Sequence, residues 1–357
     1  MTKPSILVMA GGTGGHIFPG LAVAEYLRIC GWNVAWLGNQ SGMEYRLVKS
    51  CDFPFESVDF GGLRGKGFKA KLLLPVNLLR ACFQSWRIMR RLKPSVVLGM
   101  GGYITFPGGL VTKLLKRPLV LHESNSVAGS ANRALAKIAM RILTGFPNTM
   151  ANAEWVGNPI REEFDHIEKP ELRYEQRQGP LSLLVVGGSL GAVALNENIP
   201  AALALIAKEM RPKVVHQAGD KHLLDLQKRY RDLGVEADIR PFIDDMPAAY
   251  AQADLVICRS GAMTVSELAA CGVASCLIPF PHAIDDHQTA NAKFLADANA
   301  AILLPQQYLN PQDLASLIQN FNRSDLKDMA MRAHALAKPH ATQRVAEVCA
   351  DCAGVGI

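Results

Sequence analysis

No acidic residue occurs between Asp59 and Glu123, although Arg64, Lys66, Lys69, Lys71, Arg80, Arg87, Arg90, Arg91, Lys93, Lys113, Lys116 and Arg117 all fall there. A stretch so one-sided cannot serve a cationic ligand and predicts a surface that meets something anionic. The sequence also lacks an apolar run of the roughly 20 residues that a spanning helix needs. Its most membrane-like stretch, 96–111, is broken by Gly99, Gly101, Gly102, Pro107, Gly108 and Gly109 and reads as strand, loop and helix start. The opening Met1-Thr2-Lys3-Pro4 runs straight into a short strand, with no room for the hydrophobic region of a secretion signal. The eight cysteines show no Cys/His ligand spacing and read as scattered, reduced, mostly buried thiols of a cytosolic chain.

Three nucleotide-handling signatures are missing as well. The dinucleotide fingerprint fails because Gly12-Thr13-Gly14 is followed by Ile17 where a third glycine belongs, and no acid ends the second strand near Gly38-Asn39. A nicotinamide dehydrogenase is thereby disfavoured. No G-x-x-x-x-G-K-[ST] occurs, which disfavours a P-loop kinase or ATPase, and no Asp-x-Asp pair offers to hold a metal. Phosphates bound by this chain would be neutralised by helix ends and arginines.

What is present is a repeated turn. Gly11-Gly12-Thr13-Gly14-Gly15-His16 and Gly187-Gly188-Ser189-Leu190-Gly191-Ala192 each follow a short apolar strand (6–10 and 181–186) and lead into an amphipathic stretch. Such a turn aims backbone N–H groups, at the positive end of a helix dipole, toward phosphate. Strand-like runs at 34–37, 96–98, 119–121, 213–216, 255–258 and 275–278 alternate with helical ones at 21–28, 193–207, 246–253, 265–270 and 288–295. That is the rhythm of an α/β protein, and 357 residues at 49% hydrophobic content suit two doubly wound Rossmann-like domains facing a cleft. The break at Gly157-Asn158-Pro159 separates residues 1–160 from 161–339, with a C-terminal helix at 340–357 returning to the first domain.

The halves differ in charge. Residues 1–150 carry 19 Lys/Arg against 6 Asp/Glu, and the remainder is acidic. On a helical wheel Leu72, Val76, Leu79, Phe83 and Trp86 share one face, Leu78, Cys82, Met89 and Leu92 form a second, and Arg80, Gln84, Arg87 and Arg91 line the first, with Arg90 close by. A surplus apolar face beside arginines fits a helix lying on anionic lipid, where each basic residue contributes about 1 kcal/mol. Burial of both faces is the competing reading. Nucleic acid ranks last, since stacking aromatics are not interleaved with the basic residues.

Polar turns at strand ends collect at one rim of such a fold: Gly101-Gly102-Tyr103, His122-Glu123-Ser124-Asn125, Gly157-Asn158-Pro159-Ile160-Arg161, Arg259 to Glu267, and His287-Gln288-x-x-Asn291-Ala292. Together with Gly11 to His16, Leu63-Arg64-Gly65-Lys66-Gly67, Gly99 to Tyr103, Phe242-Ile243-Asp244-Asp245-Met246 and Cys258-Arg259-Ser260-Gly261-Ala262, these runs resemble the MurG family over nearly the whole chain. Leu190 and Ser124 stand where that family usually has Gln.

The resemblance implies a GT-B fold and an inverting hexosyltransferase of peptidoglycan synthesis that needs no metal or other cofactor. It would move N-acetylglucosamine from UDP-N-acetylglucosamine to the C4 hydroxyl of an undecaprenyl-linked muramyl-pentapeptide. It implies a donor site of Thr13, Gly14, Gly15, Asn125, Arg161, Ser189, Ile243, Ala262, Met263, Thr264, Val265, Ser266, Glu267 and Gln288, with uracil at Ile243 and ribose at Glu267. The acceptor diphosphate would meet Gly14, Gly15, Gly102 and Tyr103. The enzyme would sit peripherally on the cytoplasmic face of the inner membrane, beside other cell-wall synthesis or division proteins, with no nucleic acid involved. For the base, His16 is preferred because it is the imidazole next to an anion-binding turn and its ordinary pKa is near neutral; Glu123 is the second choice. His122, His216 and His282 read as structural, and Arg259 as less suited to diphosphate than Arg161. A UDP-sugar epimerase and a non-enzymatic nucleotide-binding scaffold are rival classes; turnover of UDP-N-acetylglucosamine alone, or binding without turnover, distinguishes them.

Overall fold

A computed structural model describes residues 3–62, 72–188 and 191–357. The chain forms two compact units, Met1–Arg161 with His340–Ile357, and Glu162–Pro339. Leu63 to Lys71, with Arg64, Lys66 and Lys69, and also Ser189 and Leu190, lie outside the described residues.

The first unit is built on parallel strands β1 (Ser5–Ala10), β2 (Asn33–Gly38), β3 (Phe55–Ser57), β4 (Val96–Gly101), β5 (Leu119–Glu123), β6 (Arg141–Thr144) and β7 (Glu154–Trp155), in the order β3-β2-β1-β4-β5-β6-β7. Leu7 pairs with Ala35 on one side and Val97 on the other, so β1 is central and Ile6 to Ala10 are almost fully buried. Helices on both faces account for continuous apolar strands rather than alternating ones. The second unit repeats the plan with β8 (Ser182–Val186), β9 (Lys213–Gln217), β10 (Asp238–Arg240), β11 (Leu255–Cys258), β12 (Ala274–Leu277) and β13 (Ile302–Leu303), in the order β10-β9-β8-β11-β12-β13. The direction of winding reverses between β1 and β4 and between β8 and β11. Ligands of open parallel sheets bind beyond the strand ends at those reversals.

The first helix runs from Gly14 to Ile29, starting seven residues before the expected Leu21. Gly14, Gly15, Pro19 and Gly20 are poor helix formers, but tertiary packing overrides them: Ile17, Leu21, Val23, Ala24 and Leu27 are buried. A Cβ on Gly20 would lie 2.8 Å from the Trp36 ring, whose Nε1 donates to the Ala10 carbonyl at 3.1 Å. The strands β3, β6, β7, β10 and β13 were missed because two to four residues carry no readable period.

The Ala341–Ala353 helix joins the core of the first unit through Val345, Ala346, Val348 and Cys349, and Arg344 Nε donates to Glu154 Oε1 at 2.8 Å. Cys349 and Cys352 on this helix form a C-x-x-C that the reading of scattered thiols passed over. Burial raises both thiols above their ordinary pKa, Cys349 the more, so the spacing does not create a reactive thiolate.

Candidate functional site

In the first unit the chain leaves β1 through Gly11 and Gly12, the latter at φ +92°, and enters the helix at Gly14 with Thr13 extended as its cap. Beside it β4 ends in Gly101 (φ +104°) and the chain turns at Gly102 (φ +85°). The two turns interlock. A Cβ on Gly102 would lie 2.1 Å from the Gly11 carbonyl oxygen, and one on Gly101 would lie 2.8 Å from His16 Nδ1. Only glycine fits at either place. Thr105 Oγ1 donates to the Gly101 carbonyl at 2.8 Å, fixing the second turn from below. The Tyr103 ring lies where a Cβ on Gly12 would approach within 3.4 Å. Burial first, and then the Glu44 carboxylate, push the Tyr103 phenol up, so it is a hydrogen-bond donor rather than a base. His16, Gly14, Gly15, Gly102 and Tyr103 are thus brought together at the sheet's reversal.

The end of β5 is a polar clasp. His122 is buried, and its Nε2 faces the Gly157 carbonyl at 2.9 Å, which makes Nε2 the protonated nitrogen. Burial brings its pKa down to about 4, partly offset by that bond, so the ring is neutral. The Glu123 carboxylate accepts at Oε1 from Asn125 N (3.0 Å) and Nδ2 (3.4 Å), and at Oε2 from Gly129 N (3.0 Å) and Asn132 Nδ2 (2.9 Å). Four donors on a buried carboxylate give Glu123 an organising task in the loop, which is a geometric argument against it as base. Asn158 Nδ2 donates to the carbonyl of the buried Ser124 at 3.0 Å. Asn158 lies in the Gly157 to Arg161 turn that the sequence places at the rim, without a role of its own; Asn132 carries no sequence signal. Glu44, likewise missed, lies under the first glycine turn.

In the second unit the glycine turn after β8 is held by its neighbours. Gln217 Nε2 donates to the Gly188 carbonyl at 3.0 Å, and a Cβ on Gly191 (φ +76°) would lie 2.1 Å from the Ala218 carbonyl oxygen. Asn196 Nδ2 donates to that same carbonyl at 3.1 Å, leaving Asn196 Oδ1 to accept from His216 Nε2 at 3.1 Å. Tyr230 then donates its hydroxyl to His216 Nδ1 at 2.9 Å. Burial lowers the His216 pKa to about 3 and raises that of Tyr230, so the chain of donors keeps one direction.

The Ala262–Cys271 helix begins after Gly261, presenting Ala262, Met263 and Thr264 as its first turn, with Val265 and Ser266 following. Ser260 Oγ donates to the Gln288 carbonyl at 2.8 Å, Asn291 Nδ2 to the Ser260 carbonyl at 3.2 Å, and Phe280 N to Gln288 Oε1 at 2.8 Å. Those bonds join the Gln288 helix to the start of the Ala262 helix. Glu267 is half-buried and hydrogen-bonded to the buried Tyr250. Ile243 is buried, two residues before Asp245, which caps the Met246–Gln252 helix by accepting from Ala248 N at 2.9 Å. The Arg259 guanidinium is spent on the Ile278 and Pro279 carbonyls and on Gln306 Oε1, a structural assignment. Arg161 is exposed at the end of the first unit.

The basic segment forms the Leu74–Leu92 helix. Ala81, Ser85, Ile88 and Met89 face the core, while Leu72, Val76, Leu79 and Phe83 are all more than half exposed. The reading in which both apolar faces are buried is therefore wrong for the first. Trp86 lies on the boundary, packed partly on the core, stacked on Phe83 and carrying Arg90 at 5.0 Å from its ring. The acid-free sequence is less one-sided in space: Arg80 pairs with Asp59 at 2.7 Å and Arg91 pairs with Glu56. Among the described residues no helix is long and apolar enough to cross a membrane, and no three His, Cys, Asp or Glu side chains group as metal ligands.

Residues 6–144 match the N-terminal domain and residues 182–347 the C-terminal domain of glycosyltransferase family 28. A protein of Polynucleobacter asymbioticus is 87% identical over 357 residues, covering 100% of both chains. One from Burkholderia cenocepacia is 61% identical, covering 100% of this chain and 98% of its own. Both are named UDP-N-acetylglucosamine–N-acetylmuramyl-(pentapeptide) pyrophosphoryl-undecaprenol N-acetylglucosamine transferase. The crystal structure of Acinetobacter baumannii MurG is 41% identical and matches with a TM-score of 0.85 over 97% of this chain and 99% of that one. With both domains matched in order and relatives this similar from end to end, the chain belongs to glycosyltransferase family 28, in its MurG branch, and has the GT-B fold.

Proposed function

We propose that the protein transfers N-acetylglucosamine from UDP-N-acetylglucosamine to the C4 hydroxyl of an undecaprenyl-diphosphate-linked N-acetylmuramyl-pentapeptide, with inversion at the anomeric carbon. The observation that carries this reading is the 87% identity over 357 residues to a relative whose name states the donor, the acceptor and the sugar transferred; the C4 hydroxyl and the inversion come from the family resemblance. The donor binds chiefly to the second unit: uracil against the backbone at Ile243, ribose hydroxyls on Glu267, and diphosphate at the start of the Ala262–Cys271 helix with Ser189, while Arg161, a residue of the first unit, also serves the diphosphate. Gln288 and Asn125 meet the sugar. The first unit takes the acceptor, whose diphosphate meets the N–H groups of Gly14 and Gly15, the first two of a helix and so without an intrahelical acceptor. Thr13, Gly102 and Tyr103 complete that cradle.

Chemically, the muramyl hydroxyl attacks the anomeric carbon as UDP departs, so one group takes a proton while others stabilise the leaving diphosphate. His16, seated against Gly101, is the base in this reading, and Glu123 shapes the loop beside it. Helix dipole and guanidinium charge neutralise the diphosphate without a metal. The exposed row Leu72, Val76, Leu79 and Phe83, flanked by Arg87 and Arg90, rests on the anionic cytoplasmic face of the membrane that holds the acceptor.

The test is transfer of labelled N-acetylglucosamine to the muramyl-lipid in detergent, with and without chelator. Product in both arms is expected. No product with lipid acceptor overturns the transferase reading, and chelator-sensitive turnover overturns its metal-free form.

A further inference from the structure

Glu44 is the second residue of the Met43–Ser50 helix and is wholly buried. Its carboxylate is turned back under the end of β1. Oε2 accepts from Gly12 N at 3.4 Å, Oε1 accepts from Asn39 N at 3.1 Å, and a Cβ on Gly11 would lie 2.6 Å from Oε1. Among the described residues no Lys, Arg or His forms an ion pair with it. An acid in the first turn of a helix is favourable there, but an exposed one serves the dipole equally well. Helix capping therefore does not account for full burial, which is costly for a carboxylate facing only neutral donors.

The geometry of one peptide bond accounts for it. Gly12 N–H and Gly11 C=O belong to the same planar trans unit and point in opposite directions. Holding the N–H toward Glu44 turns the carbonyl toward Gly102, which is where the two glycine turns interlock. Two consecutive glycines would otherwise let this peptide rotate at little cost. Rotated, it would bring the Gly11 carbonyl oxygen onto the carboxylate, and two acceptors repel. Gly101, next in that interlock, packs on His16.

We propose that Glu44 is a positioning residue for the transfer reaction: its negative charge locks the Gly11–Gly12 peptide in one orientation and so holds His16 and the Gly14-Gly15 turn in register with the Gly101-Gly102 turn. Given the reaction proposed above, its loss lowers kcat and spares donor binding. A neutral amide at this position donates as well as accepts, so it tolerates both peptide orientations.

Full-length Glu44→Gln is compared with wild type for transfer, for UDP binding by calorimetry, for melting temperature and for hydrogen exchange at the Gly12 amide. Misplacement of a reacting group by about 1 Å costs on the order of 10²-fold, and kcat is expected to fall by about that factor with the donor KM and the UDP affinity retained. Gly12 exchange is expected to accelerate, a readout that holds whether or not the chain transfers sugar. Gly11→Ala, whose methyl displaces the carboxylate from the other side, is expected to reproduce the loss of kcat. The inference is overturned by a folded Glu44→Gln or Gly11→Ala with wild-type kcat, by unchanged Gly12 exchange, or by a loss of rate that merely tracks the loss of folded protein. Failure of wild type itself to transfer sugar falls on the proposed reaction, and Gly12 exchange then still decides the role of Glu44.

Discussion

Gly102 packs against Gly11 so tightly that a side chain on Gly102 would begin 2.1 Å from the Gly11 carbonyl oxygen. Gly31 has a similar backbone, φ +86° against +85°, but among the described residues nothing lies within 4 Å of where its Cβ would be. Both alanine variants incur the left-handed strain of about 1–3 kcal/mol. Only Gly102→Ala also forces the two turns apart. Melting temperature should fall in both, whereas transfer activity should collapse in Gly102→Ala and persist in Gly31→Ala.

The second glycine turn depends on His216 through Asn196 and the Ala218 carbonyl. His122 and His216 are both neutral in the fold, with pKa values near 4 and 3 against an ordinary value near 6.5. The unfolded chain therefore binds more protons than the native one below pH 6.5. Their contribution is fully present above that pH and is lost as pH falls toward 4 for His122 and toward 3 for His216, at about 1.4 kcal/mol per pH unit for each ring. Urea unfolding at pH 7 and pH 5 should show this slope. His216→Leu should flatten it by one proton while lowering stability at pH 7, because Tyr230 and Asn196 lose their partner. An unchanged slope would mean that His216 is protonated in the native state.

The sheet plan was legible because its central strands are unbroken apolar runs and its ligand-facing turns announce themselves with paired glycines. What holds those turns was not. Glu44 sits five residues beyond Asn39, outside the place where an acid ending the second strand was sought, and only the tertiary fold carries its carboxylate to Gly12, 32 residues away in sequence. Asn132, Asn158 and Asn196 act through hydrogen bonds to groups far away in sequence, Glu123, the Ser124 carbonyl, and the Ala218 carbonyl with His216, and such bonds leave no period in the sequence. The charge of the Leu74–Leu92 helix was overstated for the same reason: Asp59 and Glu56 reach Arg80 and Arg91 only in space.

The exposed row on that helix should be separable from catalysis. Burying a Leu or Phe side chain is worth about 1.5–3 kcal/mol. Leu79→Glu combined with Phe83→Glu should therefore lower affinity for anionic vesicles by more than tenfold in a sedimentation assay, given the roughly 1.4 kcal/mol per tenfold change. Turnover of a detergent-dispersed acceptor should stay near wild type, since neither side chain packs in the core. Equal vesicle binding by the variant would move the membrane contact to another surface.

Assignment of the base rests on how three neighbours differ. His16→Ala should reduce kcat by about 10²–10⁴ and remove the acidic limb of the pH profile, because the group that takes the proton is gone. Tyr103→Phe deletes only a neutral donor, since burial and Glu44 keep the phenol protonated, so the profile should keep its shape at a lower rate. Glu123→Gln leaves an amide facing four N–H groups; at least two of them lose an acceptor, and melting temperature should drop with kcat. The discriminating measurement is the pH dependence of kcat for all three variants, corrected for folded fraction. If Glu123→Gln stays fully folded yet loses the acidic limb, while His16→Ala keeps it, the proton goes to Glu123.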